Sequence, residues 1–465
     1  MDKIAGAKII QRLFDERNIP SDAKKVLADF DQIAQAAMPA NSKQLVALPK
    51  QIRELSHQMT DERGARRLGY MNEKTYLASY VRYFMWWNLV RLTRLFSNLD
   101  FGFLGDGDVC LDIGSGPLTL PCALWLSRPD LRKKKLVWYA MDISQLALSL
   151  GEEIFLSVAA ATGGEPWKIV RVKGELGTPV KQKARFVACA NMFNELLQAR
   201  GGEPPDFLAK KYSQALFKYL DFEGERNDKG GSANEGRAEN GGCAENGGGA
   251  GNGRCGPAIF LAEPGVPKSA RFVSLMRDSF IRRGLLAVAP CPHQQSCPMD
   301  GRRAGQNGAN GKWCNFAFDT EGAPKKLLAL SEKAGIPKER AVLSFVFARV
   351  PGLEKVSATD AACKPKTGAA RESVASPKSG GLLRVASDII RVPAAIPDQK
   401  PRIGHYACSE RGLVLALSSG GQRVYSGDLL EVESAGKPKA AARPGRERDL
   451  RPQRDAKTGA LIVEI

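Results

Sequence analysis

Residues 109–120 read VCLDIGSGPLTL. The first five residues are apolar apart from Asp112, which suits a strand buried on both faces of a sheet. Gly114 and Gly116 follow at once. Glycines at such a turn let the backbone bend tightly and approach a ligand. Pro117 then stands where a helix begins, and there its missing N–H costs little. Strand, glycine turn and helix start together make a nucleotide-type cradle.

The same alternation continues outward. KLVWYAMD (135–142) reads as the next strand and ends on Asp142, 26 residues after Gly116. A carboxylate there can accept hydrogen bonds from both hydroxyls of a ribose. Ser144 is placed to cap a helix that runs to about Ala161. KIVRV (168–172), RFVACAN (185–191), AIFLAEP (258–264), LLAVAP (285–290) and AVLSFVFARV (341–350) supply five further strands, with a helix from Ser269 to about Arg283. The expected fold is α/β, a doubly wound seven-stranded class I methyltransferase-like sheet. An N-terminal helical region precedes it and a small C-terminal β-rich unit follows.

The Asp-x-Gly-x-Gly form of the loop favours S-adenosylmethionine over NAD. From Gly114 the six-residue dinucleotide frame reads GSGPLT, so Thr119 stands where a third glycine is needed. Asp112, Gly114, Ser115, Gly116 and Asp142 are the candidate cofactor-binding residues, and Asn191 lines the site from the end of the fourth strand. Leu118 occupies a place where many methyltransferases carry another glycine, and its side chain is expected to narrow the methionine end of the pocket. The run Asn191-Met192-Phe193-Asn194 lacks the two prolines of an amino-methyltransferase. Glu195 is expected to line the site with Asn191; the alternative is that Asn194 caps the next helix, with Glu195 in its first turn. No general base or nucleophile can be assigned; Cys189 lies within a strand and reads as core.

Of the 465 residues, 43% are hydrophobic, enough for a substantial core. Lys and Arg number 68 against 50 Asp and Glu, leaving a net +18, which points to a polyanionic partner and to nucleic acid before a membrane. No apolar run reaches a membrane-spanning length. Asp2, Asp15 and Glu16 make the N-terminal stretch unlike a secretory signal or an acid-poor transit peptide, so the expected location is the cytoplasm.

Residues 1–100 read as helical, most clearly from Glu73 to Phe96. There Trp86 and Trp87 are assigned to packing rather than to stacking on RNA. The α/β domain spans 101–353 and holds a Gly-, Asn- and Glu-rich insertion at 225–257. A polar linker, 354–381, leads to the β-rich unit, 382–433, and a basic tail, 434–465, expected to be disordered.

Ten cysteines are too sparse for a disulfide scaffold, and grouped thiols in a reducing compartment suggest metal or catalysis. Cys291 and Cys297 flank five residues, Cys314 follows after sixteen more, and Cys408 lies in the β-rich unit. Two of the three histidines, His293 and His405, sit beside them. Soft thiolates suit zinc or an iron–sulfur cluster. The spacing matches neither a zinc ribbon nor the close C-x₃-C-x₂-C of a radical enzyme.

AEPG (262–265), PCPHQQSCP (290–298), WCNF (313–316) and GHYAC (404–408) resemble the methyltransferase-like assembly factors of the mitochondrial small ribosomal subunit and their bacterial relatives. The resemblance covers most of 70–433. It implies a [4Fe–4S] cluster on Cys291, Cys297, Cys314 and Cys408, with His293 and His405 supporting it or serving structure. Asn315 stands where a His is common, and the spacer before Cys314 is long and rich in Gly and Asn.

The implied role is binding of small-subunit rRNA in ribosome assembly or translation, with the cluster as a structural staple. Such a cluster would close a loop of 118 residues and stabilise by a few kcal/mol through constraint of the unfolded chain. An active S-adenosylmethionine-dependent rRNA methyltransferase is the second reading. A zinc-stabilised interaction module without cofactor is the third.

Overall fold

The computed structural model describes residues 7–60, 70–199, 202–222, 256–303, 310–351, 381–392, 402–418, 423–432 and 453–465. The insertion up to residue 255, the linker up to residue 380 and most of the basic tail expected from the sequence lie outside these residues. Strand β1 (Lys8–Arg12) comes first. Helices α1 (Ser21–Ala28), α2 (Phe30–Ala37), α3 (Ser42–Thr60), α4 (Lys74–Ser79) and α5 (Trp86–Phe96) follow, and a π-helical turn, Tyr80–Met85, joins the last two. The sheet region runs β2 (Val109–Ile113), α6 (Thr119–Ser127), β3 (Val137–Asp142), α7 (Gln145–Thr162), β4 (Lys168–Lys173), β5 (Phe186–Ala190), α8 (Phe193–Ala199) and α9 (Pro205–Phe217). It continues with β6 (Ala258–Pro264), α10 (Pro267–Arg282), β7 (Leu286–Ala289), β8 (Phe316–Asp319), α11 (Lys325–Lys333) and β9 (Arg340–Arg349). Strands β10 (Gly381–Val385), β11 (Ile390–Val392), β12 (Arg402–Ser409), β13 (Gly412–Leu417), β14 (Asp428–Val432) and β15 (Leu461–Glu464) complete the chain.

The larger sheet has the order β4-β3-β2-β5-β6-β9-β7. Its first five strands are parallel, and β9 runs antiparallel to both β6 and β7. Counted along the domain this is 3-2-1-4-5-7-6, the doubly wound methyltransferase-like arrangement that the sequence predicts. All seven strands are present. An eighth, β8, adds antiparallel to β9 and was not foreseen. Its run FAFD is short and follows a cysteine loop, so no long periodic pattern announces it. The strand order reverses between β2 and β5, and ligands of such sheets bind beyond the strand ends at that point.

Helix α5 is buried on nearly every side, as its mixed apolar surface requires. Trp86 and Trp87 pack as expected: each is nearly inaccessible, and their indole N–H groups donate to Leu27 O (2.7 Å) and Ser331 Oγ (3.2 Å). No helix among the described residues is long and apolar enough to cross a membrane.

The second sheet corrects two expectations. Its order is β1-β14-β10-β12-β13-β15, with β11 beside β12. The first strand therefore comes from a region read as helical, and the last comes from the tail. Lys8–Arg12 is too short to hold a helix, and pairing with β14 decides its conformation. ALIVEI, residues 460–465, carries a β-branched run that pairs in parallel with β13. Leu383, Val385, Ala407, Val414 and Leu430 form a small core, flanked by Ile9 from one end of the chain and Leu461 and Val463 from the other.

The glycine loop crosses α7 closely. Leu118 takes a left-handed conformation (φ 58°), and its buried side chain turns onto Gly151. It is absent from the cavity lining described below, so it does not narrow the pocket as expected. A Cβ at Gly151 would lie 2.5 Å from the Pro117 carbonyl carbon. Gly151→Ala is therefore expected to lower stability by about 1–3 kcal/mol in urea denaturation, despite the higher helix propensity of alanine. Unchanged stability would contradict the close crossing.

Candidate functional site

The glycine loop folds over the end of β3. Gly114 N–H and Ser115 N–H both donate to Met141 O, at 2.9 and 3.0 Å. Gly114 and Gly116 have φ of 70° and 52°, a region that other residues enter at a cost. A side chain at 114 would also meet Met192, since a Cβ there would lie 2.8 Å from the Met192 Cβ. Asp142 ties the loop to the next turn: its carboxylate accepts from Gly116 N–H (2.9 Å) and Ser144 N–H (2.8 Å). Each oxygen keeps a lone pair for a ligand hydroxyl. Ser144 caps α7, accepting from Ala147 N–H.

Asp112 is almost fully buried. Its Oδ2 accepts from Ser115 Oγ at 2.7 Å, while Oδ1 has no partner. Burial pushes this carboxyl up to about 7, against the lowering by the Ser115 hydroxyl and with the Asp142 charge adding to the rise. Asp112 lines the cavity described below, and a buried acceptor without a partner there is a place for a ligand donor.

At the end of β5, Asn191 also adopts a left-handed conformation (φ 60°), and its N–H donates to Ala262 O at 2.8 Å. The start of α8 is capped from across the sheet. Glu263 accepts from Phe193 N–H (2.8 Å) and Asn194 N–H (3.0 Å). The alternative of Asn194 as the cap is thereby set aside: its side chain accepts from Ser269 Oγ, and Glu195 lines the cavity described below, as expected. Burial pushes Glu263 up to about 8, opposed by the two backbone donors. Glu263 stood in the AEPG motif, but nothing local marked it as a cap.

Asp112, Gly114, Ser115, Gly116, Asp142 and Asn191 all line one cavity of about 510 Å³, within the range of small-ligand sites. Part of the wall comes from residues that no local sequence signal marks. Tyr80, Phe84 and Arg91 reach it from the helical region, and Lys338 from the approach to β9.

The thiols lie along the seam between the two sheets. Arg277 Nε donates to Cys291 Sγ at 3.0 Å, and its Nη2 donates to His293 O at 2.8 Å. Ser274 bonds to Cys297. Cys314 N–H donates to Met299 O at 3.1 Å, and Cys314 O accepts from Ser344 Oγ at 2.7 Å. Cys408, on β12, stands opposite Arg384 on β10, and Arg384 Nε donates to Pro290 O at 2.7 Å, next to Cys291.

The four sulfurs are close enough that a charge on one would act on the others. Burial, then the neighbouring thiols, pushes Cys314 and Cys408 well up, and burial and Cys291 push Cys297 to about 11. All four are free thiols. Among the described residues no group of three or more His, Cys, Asp or Glu has the spacing of a ready metal site. The four thiols are thus neighbours without forming a closed coordination sphere. His293 and His405 are buried, each with Nδ1 unpartnered. His405 does not support Cys408 directly. Strand side chains alternate, so it shares the face of Ala407 in the small core, while Tyr406 and Cys408 face the larger one.

Residues 252–370 match the protein family described as mitochondrial small ribosomal subunit Rsm22. No curated protein matches the chain. Solved structures similar to it include an S-adenosylmethionine-dependent methyltransferase from Geobacter sulfurreducens with bound S-adenosyl-L-homocysteine (15% identity, 57% of this chain and 90% of that one, TM-score 0.28). They also include magnesium protoporphyrin IX methyltransferase from Synechocystis (9% identity, 70% and 99%, TM-score 0.29) and YjhP from E. coli (12%, 63% and 99%, TM-score 0.28).

Asp112 and Glu263 give a pH signature. Their folded values of about 7 and about 8 exceed the ordinary 3.8 and 4.5, so the native state holds protons that the unfolded chain has released. The contribution of these two groups to stability therefore falls as pH rises from about 5 to 8, against the opposite contribution of the buried His293 below about 6.5. Urea denaturation across that window is expected to show the fall, and to show it reduced in Asp112→Asn and in Glu263→Gln. An equal slope in both variants would contradict the assignment.

Proposed function

We propose that this protein binds small-subunit rRNA and acts in ribosome assembly or translation, on a methyltransferase-like scaffold fastened by an iron–sulfur centre. The observation that carries this reading is the family match over 252–370, which contains Cys291, Cys297, Cys314 and the AEPG turn. The net charge of +18 suits a polyanionic partner.

The donor chemistry fits a [4Fe–4S] cluster in its surroundings as well as its thiols. Arg277 and Arg384 are 3% and 2% exposed, and both sit among the cysteines. Buried cations need anionic neighbours, and thiolates around a cluster are anionic. Cys291, Cys297, Cys314 and Cys408 would hold the cluster, which would supply a cross-link between the sheets. A reducing compartment such as the cytoplasm keeps such thiols available.

A second reading, active methyl transfer, is favoured by the unpartnered Asp112 Oδ1 and by the turn of Leu118 away from the cavity. S-adenosylmethionine, when bound, supplies an electrophilic methyl group. Asp112 would take its ammonium group, Asp142 its ribose hydroxyls, and the glycine turn would leave room for its backbone approach. Calorimetry is expected to detect binding that Asp142→Ala weakens at least about tenfold. No heat at millimolar ligand would end this reading.

Anaerobic purification tests the main proposal. The expected sample is brown and holds iron and acid-labile sulfide in equal amounts. Cys408→Ser should lose the metal, lose a few kcal/mol of stability and bind a small-subunit rRNA fragment more weakly. A colourless zinc protein would favour a zinc-stabilised interaction module instead. Undiminished rRNA affinity in a folded, metal-free variant would separate the centre from the function.

A further inference from the structure

Beyond the glycine loop, the cavity wall is built from a different chemistry. Tyr80 and Phe84 lie on the π-helical turn, and their rings stack with centroids 5.9 Å apart and planes 26° apart. Such turns are frequent at functional sites, because they displace side chains from their regular helical positions. One turn later come Asn88 and Arg91. Arg91 Nη1 donates to Asn88 Oδ1 at 2.9 Å, but its Nε is buried with no partner. Lys338 lines the same cavity, its Nζ 5.7 Å from the centre of the Trp87 ring.

Among the described residues no carboxylate is among the groups that shift either cation: burial leads at both, Tyr83 and Tyr80 act on Arg91, and Arg91 acts on Lys338. Each is a neighbour of the other, and burial together with the Arg91 charge pushes Lys338 down to about 7. Two like charges facing a partly closed cavity oppose each other, and an entering anion would relieve that opposition. A carboxylate would satisfy the cations but would leave the stacked rings unused. A nucleotide uses both, since its phosphate meets the cations and its base has a flat face for the rings.

We propose that the chamber beside the cofactor cradle takes a single RNA nucleotide drawn out of its strand, with the phosphate held by Arg91 and Lys338 and the base stacked on the Tyr80–Phe84 wall. This rests on the reading of the protein as an rRNA-binding, methyltransferase-like molecule and names the substrate class of that site. Drawing a base out of its stack costs a few kcal/mol, and base–aromatic stacking returns about 1–3 kcal/mol. The phosphate grip supplies the rest and adds a dependence on salt.

The four nucleoside 5′-monophosphates, each against its own nucleoside, test the proposal by calorimetry on the full chain, with and without S-adenosyl-L-homocysteine. At least one monophosphate should bind about tenfold or more tightly than its nucleoside. Lys338→Met should erase most of that advantage while leaving nucleoside and S-adenosyl-L-homocysteine binding unchanged. Arg91→Gln should act the same way, with the melting temperature reporting its fold. Tyr80→Leu should weaken nucleosides and monophosphates alike. Monophosphates that bind no better than nucleosides, or variants that bind as wild type, would overturn the subsite, as would preference for an acidic peptide. Retained binding of S-adenosylmethionine and of an rRNA fragment in that event would show that only the subsite fails, not the broader function.

Discussion

The side chain of Arg384 is the point on which the assembly of the two sheets turns. Its guanidinium is buried, and it donates to Pro290 O (2.7 Å), Gly427 O (2.7 Å) and Gln11 Oε1 (2.6 Å). Those acceptors belong to the cysteine loop, the turn before β14 and the N-terminal strand. A buried charge without partners costs several kcal/mol, so the fold must bring these three segments to one place. Burial lowers Arg384 to about 10, while Cys408 and Cys291, if ionised, act the other way. The seam is therefore arranged around a cation that would gain from anionic sulfur on either side.

The same seam reaches the cavity. Trp313 precedes Cys314, and its indole N–H donates to Gly265 O at 3.1 Å. Gly265 lines the cavity at the end of β6, where a Cβ would lie 2.3 Å from Val342 Cγ1. Ser344, on β9, bonds to the Cys314 carbonyl, and Val342 on the same strand lines the cavity. Order in the thiol loop and the shape of the cavity wall thus share a few rigid contacts. A packed interior transmits such displacements rather than absorbing them.

Much of this was legible in the sequence where the signal is local. The run VCLDIGSGP holds a strand and a glycine turn within nine residues, and the structure realises both; the helix expected to start at Pro117 begins two residues later, at Thr119, because Pro117 and the left-handed Leu118 still belong to the turn. Ser144 read as a cap and acts as one, because N-cap chemistry involves only its next few residues. Leu118 misled the reading: a bulky side chain at a glycine-type position can still turn inward, at roughly 1–2 kcal/mol of backbone strain, when Gly151 leaves it a place. Glu263 as a cap, Arg91 and Lys338 as neighbours, and β1 and β15 as edge strands all depend on contacts between distant segments. No spacing in the chain encodes them. The paired arginines beside the thiols were hidden for the same reason, since Arg277 sits within an ordinary amphipathic helix pattern.

The magnitudes decide what each fastening does. Hydrogen bonds to a charged group contribute about 1.5–3 kcal/mol each, and desolvating a guanidinium consumes several kcal/mol. The three bonds of Arg384 therefore come close to cancelling its burial cost, and what they confer is register. They hold β10 opposite Cys408, and so fix where that sulfur stands relative to Pro290 and Cys291. The small core beneath is modest, and both described ends of the chain contribute to it. On its other face the second sheet adds Tyr406, Leu413, Leu415 and Leu417 to the larger core, and a cross-link would add to that packing. A centre bound by thiols from the loop and from β12 would provide one, and it would act at the place where Arg277 and Arg384 already supply the compensating charge.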